Sequence, residues 1–140
     1  MTIQSELYLA SGFSTGENKT LIFGNSGLES VASAALGWVI TSNGSSAYRF
    51  AGPGVGATDD NPTLYLYRGF TYRFHNQTGA SHPFKLRVSA GGASVTDGVS
   101  GSDEGVQYYT IPMDLAAGTT YKYQCGIPSH AAMIGDLVIV

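Results

Sequence analysis

Charge is scarce in this chain of 140 residues: 7 basic and 10 acidic side chains leave a net charge of -3, with no acidic or basic block. A nucleic-acid partner calls for a basic stripe to neutralise phosphates, so that class is excluded. Only one cysteine is present, which rules out an internal disulfide and any dependence of the fold on one. The longest apolar-leaning stretch, "VASAALGWVI", is too short to span a bilayer. The opening "MTIQSELYLASGFSTGENKT" has no basic region, apolar run and cleavage site in series. A protein with neither a membrane partner nor a secretory leader is therefore expected. Ser-His-Asp order, paired carboxylate motifs, zinc spacing and phosphate loops are missing too, so hydrolase and transferase readings have no support and the chain reads as a non-enzyme.

What is present is apolar and aromatic. Hydrophobic residues make up 43% of the chain, with nine Tyr and six Phe, enough to bury a core. Nineteen glycines and recurrent Ser and Thr cut the apolar residues into short runs, the pattern of many short strands. Strands are predicted at Leu7–Ala10, Thr20–Phe23, Gly37–Thr41, Ala47–Phe50, Thr63–Tyr67, Phe70–His75, Phe84–Ser89, Gln107–Ile111, Tyr121–Cys125 and Asp136–Val140. Only "GLESVASAALG" has the composition for about two helical turns. The fold class expected is all-β, a Greek-key β-sandwich over 42–140. Residues 1–41 are expected to be an extension ahead of it, contributing strands and an assembly contact, with Trp38 as its anchor.

Alternation assigns the faces. In "FTYRFHN" Phe70, Tyr72 and Phe74 share one side and His75 falls on the outward one; in "YKYQC" Cys125 points with Tyr121 and Tyr123 towards the core. The Asn-x-Ser/Thr triplets at Asn18, Asn43 and Asn76 are read as turn residues.

Four residues in the C-terminal half carry the chemistry: His82 in "GASHPFKLRV", then Cys125, His130 and Met133 in "YKYQCGIPSHAAMIGDLVIV". Each has an ordinary reading by itself. Cys125 would be a small buried hydrophobe, His82 a loop end and Met133 core filler. Together, two imidazoles and a thiolate in one plane with a weak axial thioether form a copper site suited to electron transfer. One ligand precedes an inner strand and three lie on a single loop, so a stiff sandwich would hold them.

"NPTLYLYRGFTYRFHNQTGASHPFKLRVS", the turn "TDGVSGS" and "YKYQCGIPSHAAM" running into "GDLVIV" resemble the cupredoxin family, over about Ala47 to Val140. Within it the likeness is to cupredoxin-like modules of cyanophage virion structural proteins. The resemblance implies a cupredoxin-like sandwich, copper as the cofactor, and His82, Cys125, His130 and Met133 as the metal ligands. The loop departs from the family: four residues separate Cys125 from His130 and two separate His130 from Met133, so "GIPS" is read as an insertion.

Two functions follow. The first is a virion structural protein, a phage capsid decoration or cement protein assembled in the host cytoplasm, whose partners are the major capsid protein and copies of itself. It rests on the missing leader, the low charge and the extension, which could lock a lattice by strand pairing. The second is a type 1 (blue) copper electron-transfer protein of a periplasm or thylakoid lumen. It rests on the ligand set.

Overall fold

The computed structural model describes residues 36–140. Among the described residues, nine strands form two sheets. The first holds β2 (Ala47–Ala51), β1 (Gly37–Asn43), β4 (Thr71–Asn76), β7 (Val106–Thr110) and β6 (Val99–Gly101), in that order across the sheet. The second holds β3 (Leu64–Leu66), β9 (Ile134–Ile139), β8 (Thr120–Cys125) and β5 (Phe84–Arg87). β1 runs parallel to β4 and β3 parallel to β9; the other pairings are antiparallel. Because β2 and β3, β4 and β5, and β7 and β8 lie in different sheets, the chain repeatedly crosses between layers as a Greek-key sandwich does. This is the all-β class the strand pattern predicts.

Alternation sets which side chains meet between the sheets. Tyr72, Phe74 and Asn76 of β4 are buried, and Thr71, Arg73 and His75 lie on the outer row. From the facing sheet come Phe84, Leu86, Tyr123, Cys125, Leu137 and Ile139. Each large apolar side chain withdrawn from water contributes roughly 1.5–3 kcal/mol. At the centre, Phe84 stacks on Tyr123 with ring centroids 5.3 Å apart, and Phe74 packs on Phe84 at 5.3 Å. Buried tyrosines need partners for their hydroxyls, and Tyr123 finds one by donating to the Pro62 carbonyl at 2.6 Å.

The boundary expected at residue 42 is corrected. β1 lies between β2 and β4 in the sheet, so residues 36–41 belong to the compact unit Leu36–Val140. Trp38 is likewise a core residue of the sandwich. It is 5% exposed, stacks on Tyr72 and Phe74, and donates its indole N–H to the Pro53 carbonyl at 2.9 Å. The strands expected at Leu7–Ala10 and Thr20–Phe23, the helical turns of "GLESVASAALG" up to Ala35 and the rest of the extension's proposed contact lie outside the described residues.

Candidate metal centre

One end of the four-stranded sheet gathers the residues that the sequence singles out. β5 and β8 are antiparallel with Phe84 opposite Cys125, so the His82-Pro83 dipeptide that leads into β5 arrives beside the end of β8. A short 3-10 turn over Gly79–Ser81 delivers His82, whose own N–H donates to the Gly79 carbonyl at 3.2 Å. From the other side, β8 and β9 form a hairpin, and its connection carries His130 and Met133.

The connection closes compactly despite its spacing. Ile127 is extended, Pro128 opens a second 3-10 turn that ends at His130, and the His130 N–H returns to the Ile127 carbonyl at 2.9 Å. Proline suits that first position because its φ is already fixed and its missing donor has no partner to lose. "GIPS" is thereby taken up as one turn, and the imidazole of His130 faces inwards. The Met133 N–H then donates to the His130 carbonyl at 2.9 Å, and the Cys125 N–H donates to the Met133 carbonyl at 3.0 Å.

Three donor atoms converge. His82 Nδ1 and His130 Nδ1 lie 3.1 Å apart, and each is 3.8 Å from Cys125 Sγ. The centre of that triangle lies about 2.1 Å from every corner, the length of a metal bond to imidazole nitrogen or thiolate sulfur. Two nitrogens and one thiolate in a plane are the equatorial set of a type 1 copper site, so the side chains fit the copper that the sequence implies. Met133 is completely buried and continues the β8–β9 ladder opposite Cys125, and directly opposed residues project to the same face. His75, the third histidine, stays on the outer row of β4 and takes no part in the cluster.

The surroundings favour the ligating forms. Burial first, and the neighbouring His130 second, lower the pKa of His82 and so favour its neutral imidazole. The Ile127 N–H points at Cys125 Sγ at 3.5 Å, a donor that stabilises negative charge on the sulfur. Cys125 is buried and both imidazoles are half-buried, which leaves the rings closer to solvent than the sulfur.

Sequence reasoning missed the residues that hold this geometry. Asn76, read as a turn residue, is 3% exposed, and its amide donates to the His82 carbonyl at 2.8 Å and the Asp103 carbonyl at 2.9 Å. Thr78 Oγ1 donates to Asn76 Oδ1 at 2.6 Å and also lies 3.1 Å from the His82 carbonyl. Tyr48 is fully buried, and its hydroxyl lies 2.8 Å from the His82 carbonyl and 3.0 Å from that of Pro83. Burial first, and the charge of nearby Cys125 second, push the phenol's pKa far up and keep its proton in place. The signal for Asn76 was its register: it follows Tyr72 and Phe74 on the inward row, where a polar residue must find partners. Tyr48 carried no such signal.

No protein-family model and no curated protein matches the sequence. Among solved structures the chain is similar to reduced rusticyanin, at 24% identity over 75% of this chain and 77% of that one, with a TM-score of 0.41. It is also similar to a mutant of amicyanin in the Cu(I) form, at 20% identity over 76% and 83% of the two chains, with a TM-score of 0.43. An oxidised mutant of amicyanin matches at 20% identity over 76% and 83%, with a TM-score of 0.42.

The two-sheet order, with three donors gathered at one end of the four-stranded sheet, makes the fold a cupredoxin-like β-sandwich. The first function expected, a capsid decoration protein in a virion, is corrected. That reading gave the opening of the chain more weight than the ligand set, and the convergence of His82, Cys125 and His130 on one point reverses the order.

Proposed function

We propose that this protein is a type 1 (blue) copper electron-transfer protein whose ligands are His82, Cys125, His130 and Met133. The observation that supports it is the donor triangle, with sides of 3.1, 3.8 and 3.8 Å, already shaped for a trigonal metal. Copper held there would supply a one-electron couple.

The chain's own residues do the rest. Cys125 offers the soft thiolate, which selects copper over hard cations. The two Nδ1 atoms would complete the set of strong donors, and buried Met133 would add a weaker thioether. Cys125 ends β8, His82 leads into β5, Met133 precedes β9 and a 3-10 turn carries His130, so little reorganisation would accompany a change of oxidation state. Half-buried His82 and His130 give electrons a short path to the surface. A periplasmic or thylakoid-lumen location accompanies this reading and is checked by cell fractionation.

The test is a Cu(II) titration of the purified protein. An intense band at about 600 nm from thiolate-to-copper charge transfer is expected. A protein that stays colourless with a stoichiometric excess of copper, its thiol intact, overturns the reading.

A further inference from the structure

We propose that Tyr48 and Asn61 form a brace that couples the two separately delivered halves of the metal centre, making both positioning residues. This inference rests on the copper reading and names what holds that site in shape.

His82 and the Cys125-to-Met133 loop reach the centre from different stretches of chain, and Tyr48 of β2 touches both deliveries. Its hydroxyl bonds the carbonyls of His82 and Pro83, at 2.8 and 3.0 Å. Its backbone is tied on the other side to Asn61. The Tyr48 N–H donates to Asn61 Oδ1 at 2.9 Å, and the Asn61 N–H returns to the Tyr48 carbonyl at 2.9 Å. The remaining Asn61 donor, Nδ2, reaches the Ala132 carbonyl at 3.0 Å, one residue before Met133. The path therefore runs from the His82 main chain through the Tyr48 ring and backbone to Asn61, and from there into the ligand loop.

Asn61 keeps an uncommon backbone to do this. Its φ is +49°, in the left-handed region, and it is the one non-glycine residue with a positive φ among the described residues. Asparagine tolerates that region better than most residues, but the conformation still costs energy and persists only where surroundings enforce it. Three hydrogen bonds to Tyr48 and Ala132 are the enforcement here.

The acceptors have other donors, which makes the brace separable from folding. Without the Tyr48 hydroxyl, the His82 carbonyl keeps Asn76 Nδ2 at 2.8 Å, and the Pro83 carbonyl keeps the Gly126 N–H at 2.8 Å. Tyr48→Phe therefore strands no buried main-chain acceptor, and removes the constraint together with the hydroxyl that lies near Cys125. Asn61→Asp keeps an acceptor for the Tyr48 N–H and a residue that tolerates the backbone, and deletes the donor to Ala132.

The experiment compares wild type, Tyr48→Phe, Asn61→Asp and the double variant. It measures Cu(II) affinity by competition with a chelator, the position and intensity of the visible band, and thermal unfolding of the metal-free protein. Each single variant is expected to bind copper about tenfold more weakly with a displaced band, as loss of an outer support does at metal sites. The double variant is expected to lose less than the product of the two, because both act through Tyr48. A wild type that gives no band defeats the copper reading itself, and the brace with it. A coloured wild type whose variants keep its affinity and band, whatever their melting temperature, overturns the brace and leaves the copper reading standing.

Discussion

His82 Nδ1 and His130 Nδ1 stand 3.1 Å apart although they are 48 positions apart in the chain. Two imidazole nitrogens that close must share a proton or a cation, because two facing lone pairs repel. Cys125 Sγ, 3.8 Å from each, completes a set in which a metal replaces that proton.

Cys125→Ser is expected to abolish the visible band while leaving the fold intact. Serine is close in size to cysteine, and its hydroxyl is a poor soft ligand that gives no thiolate charge transfer. Absorbance and circular dichroism on the same sample check both halves of the expectation. A Ser variant that still turns blue would remove Cys125 from the site.

Met133 has two jobs that substitution can part. Met133→Leu conserves volume, so its cost to stability is expected to stay under about 1.5 kcal/mol. The band should persist and only shift, because a thioether would contribute only a weak bond to copper. Met133→Ala leaves a hole at a fully buried position and is expected to cost about 2–5 kcal/mol. Denaturant unfolding of the metal-free variants measures both; equal losses for Leu and Ala would contradict the packing role.

The pH response of the metal-free protein follows from His82. Burial and the adjacent His130 lower its folded pKa below the ordinary value of about 6.5. As pH falls through that ordinary value, the unfolded chain takes up this proton before the folded one does. Stability is therefore expected to decline across the window down to the folded pKa and then to level off. NMR titration of His82, beside melting curves at several pH values, checks the sign. A His82 midpoint above the ordinary value would reverse it.

Gly135 is expected to tolerate no side chain. It lies opposite Tyr123 in the β8–β9 ladder, and an added Cβ would sit 2.2 Å from the Tyr123 hydroxyl oxygen. Gly135→Ala must push that ring aside and disturb its bond to the Pro62 carbonyl, at an expected cost of about 1–3 kcal/mol. Unfolding measurements test this, and wild-type stability in the Ala variant would refute the contact.

The sequence was most informative where a local rule and a core position agreed. "FTYRFHN" and "YKYQC" alternate cleanly: the observed β4 is shifted by one residue at each end from the predicted strand, and β8 starts one residue earlier. β6 was hidden in a Gly- and Ser-rich stretch because Val99–Gly101 carries no apolar alternation and exists through its pairing with β7. Trp38 was assigned to an interface because single-sequence reasoning cannot foresee that β1 inserts beside β4, a pairing across more than thirty residues. The donor identities of His82, Cys125 and His130 were legible from chemistry. Their distances were not, since those depend on how a 3-10 turn absorbs "GIPS" and on where Tyr48 and Asn61 fasten the ends.

The main-chain bond from the Cys125 N–H to the Met133 carbonyl pins both ends of the ligand loop to the sheet. Seven residues lie between these anchors, outside the paired register of β8 and β9. His82 lies outside that segment, on a stretch with its own supports. Changes within that segment would therefore reposition His130 alone, while Cys125 and Met133 at its anchors and His82 on its separate support keep their places.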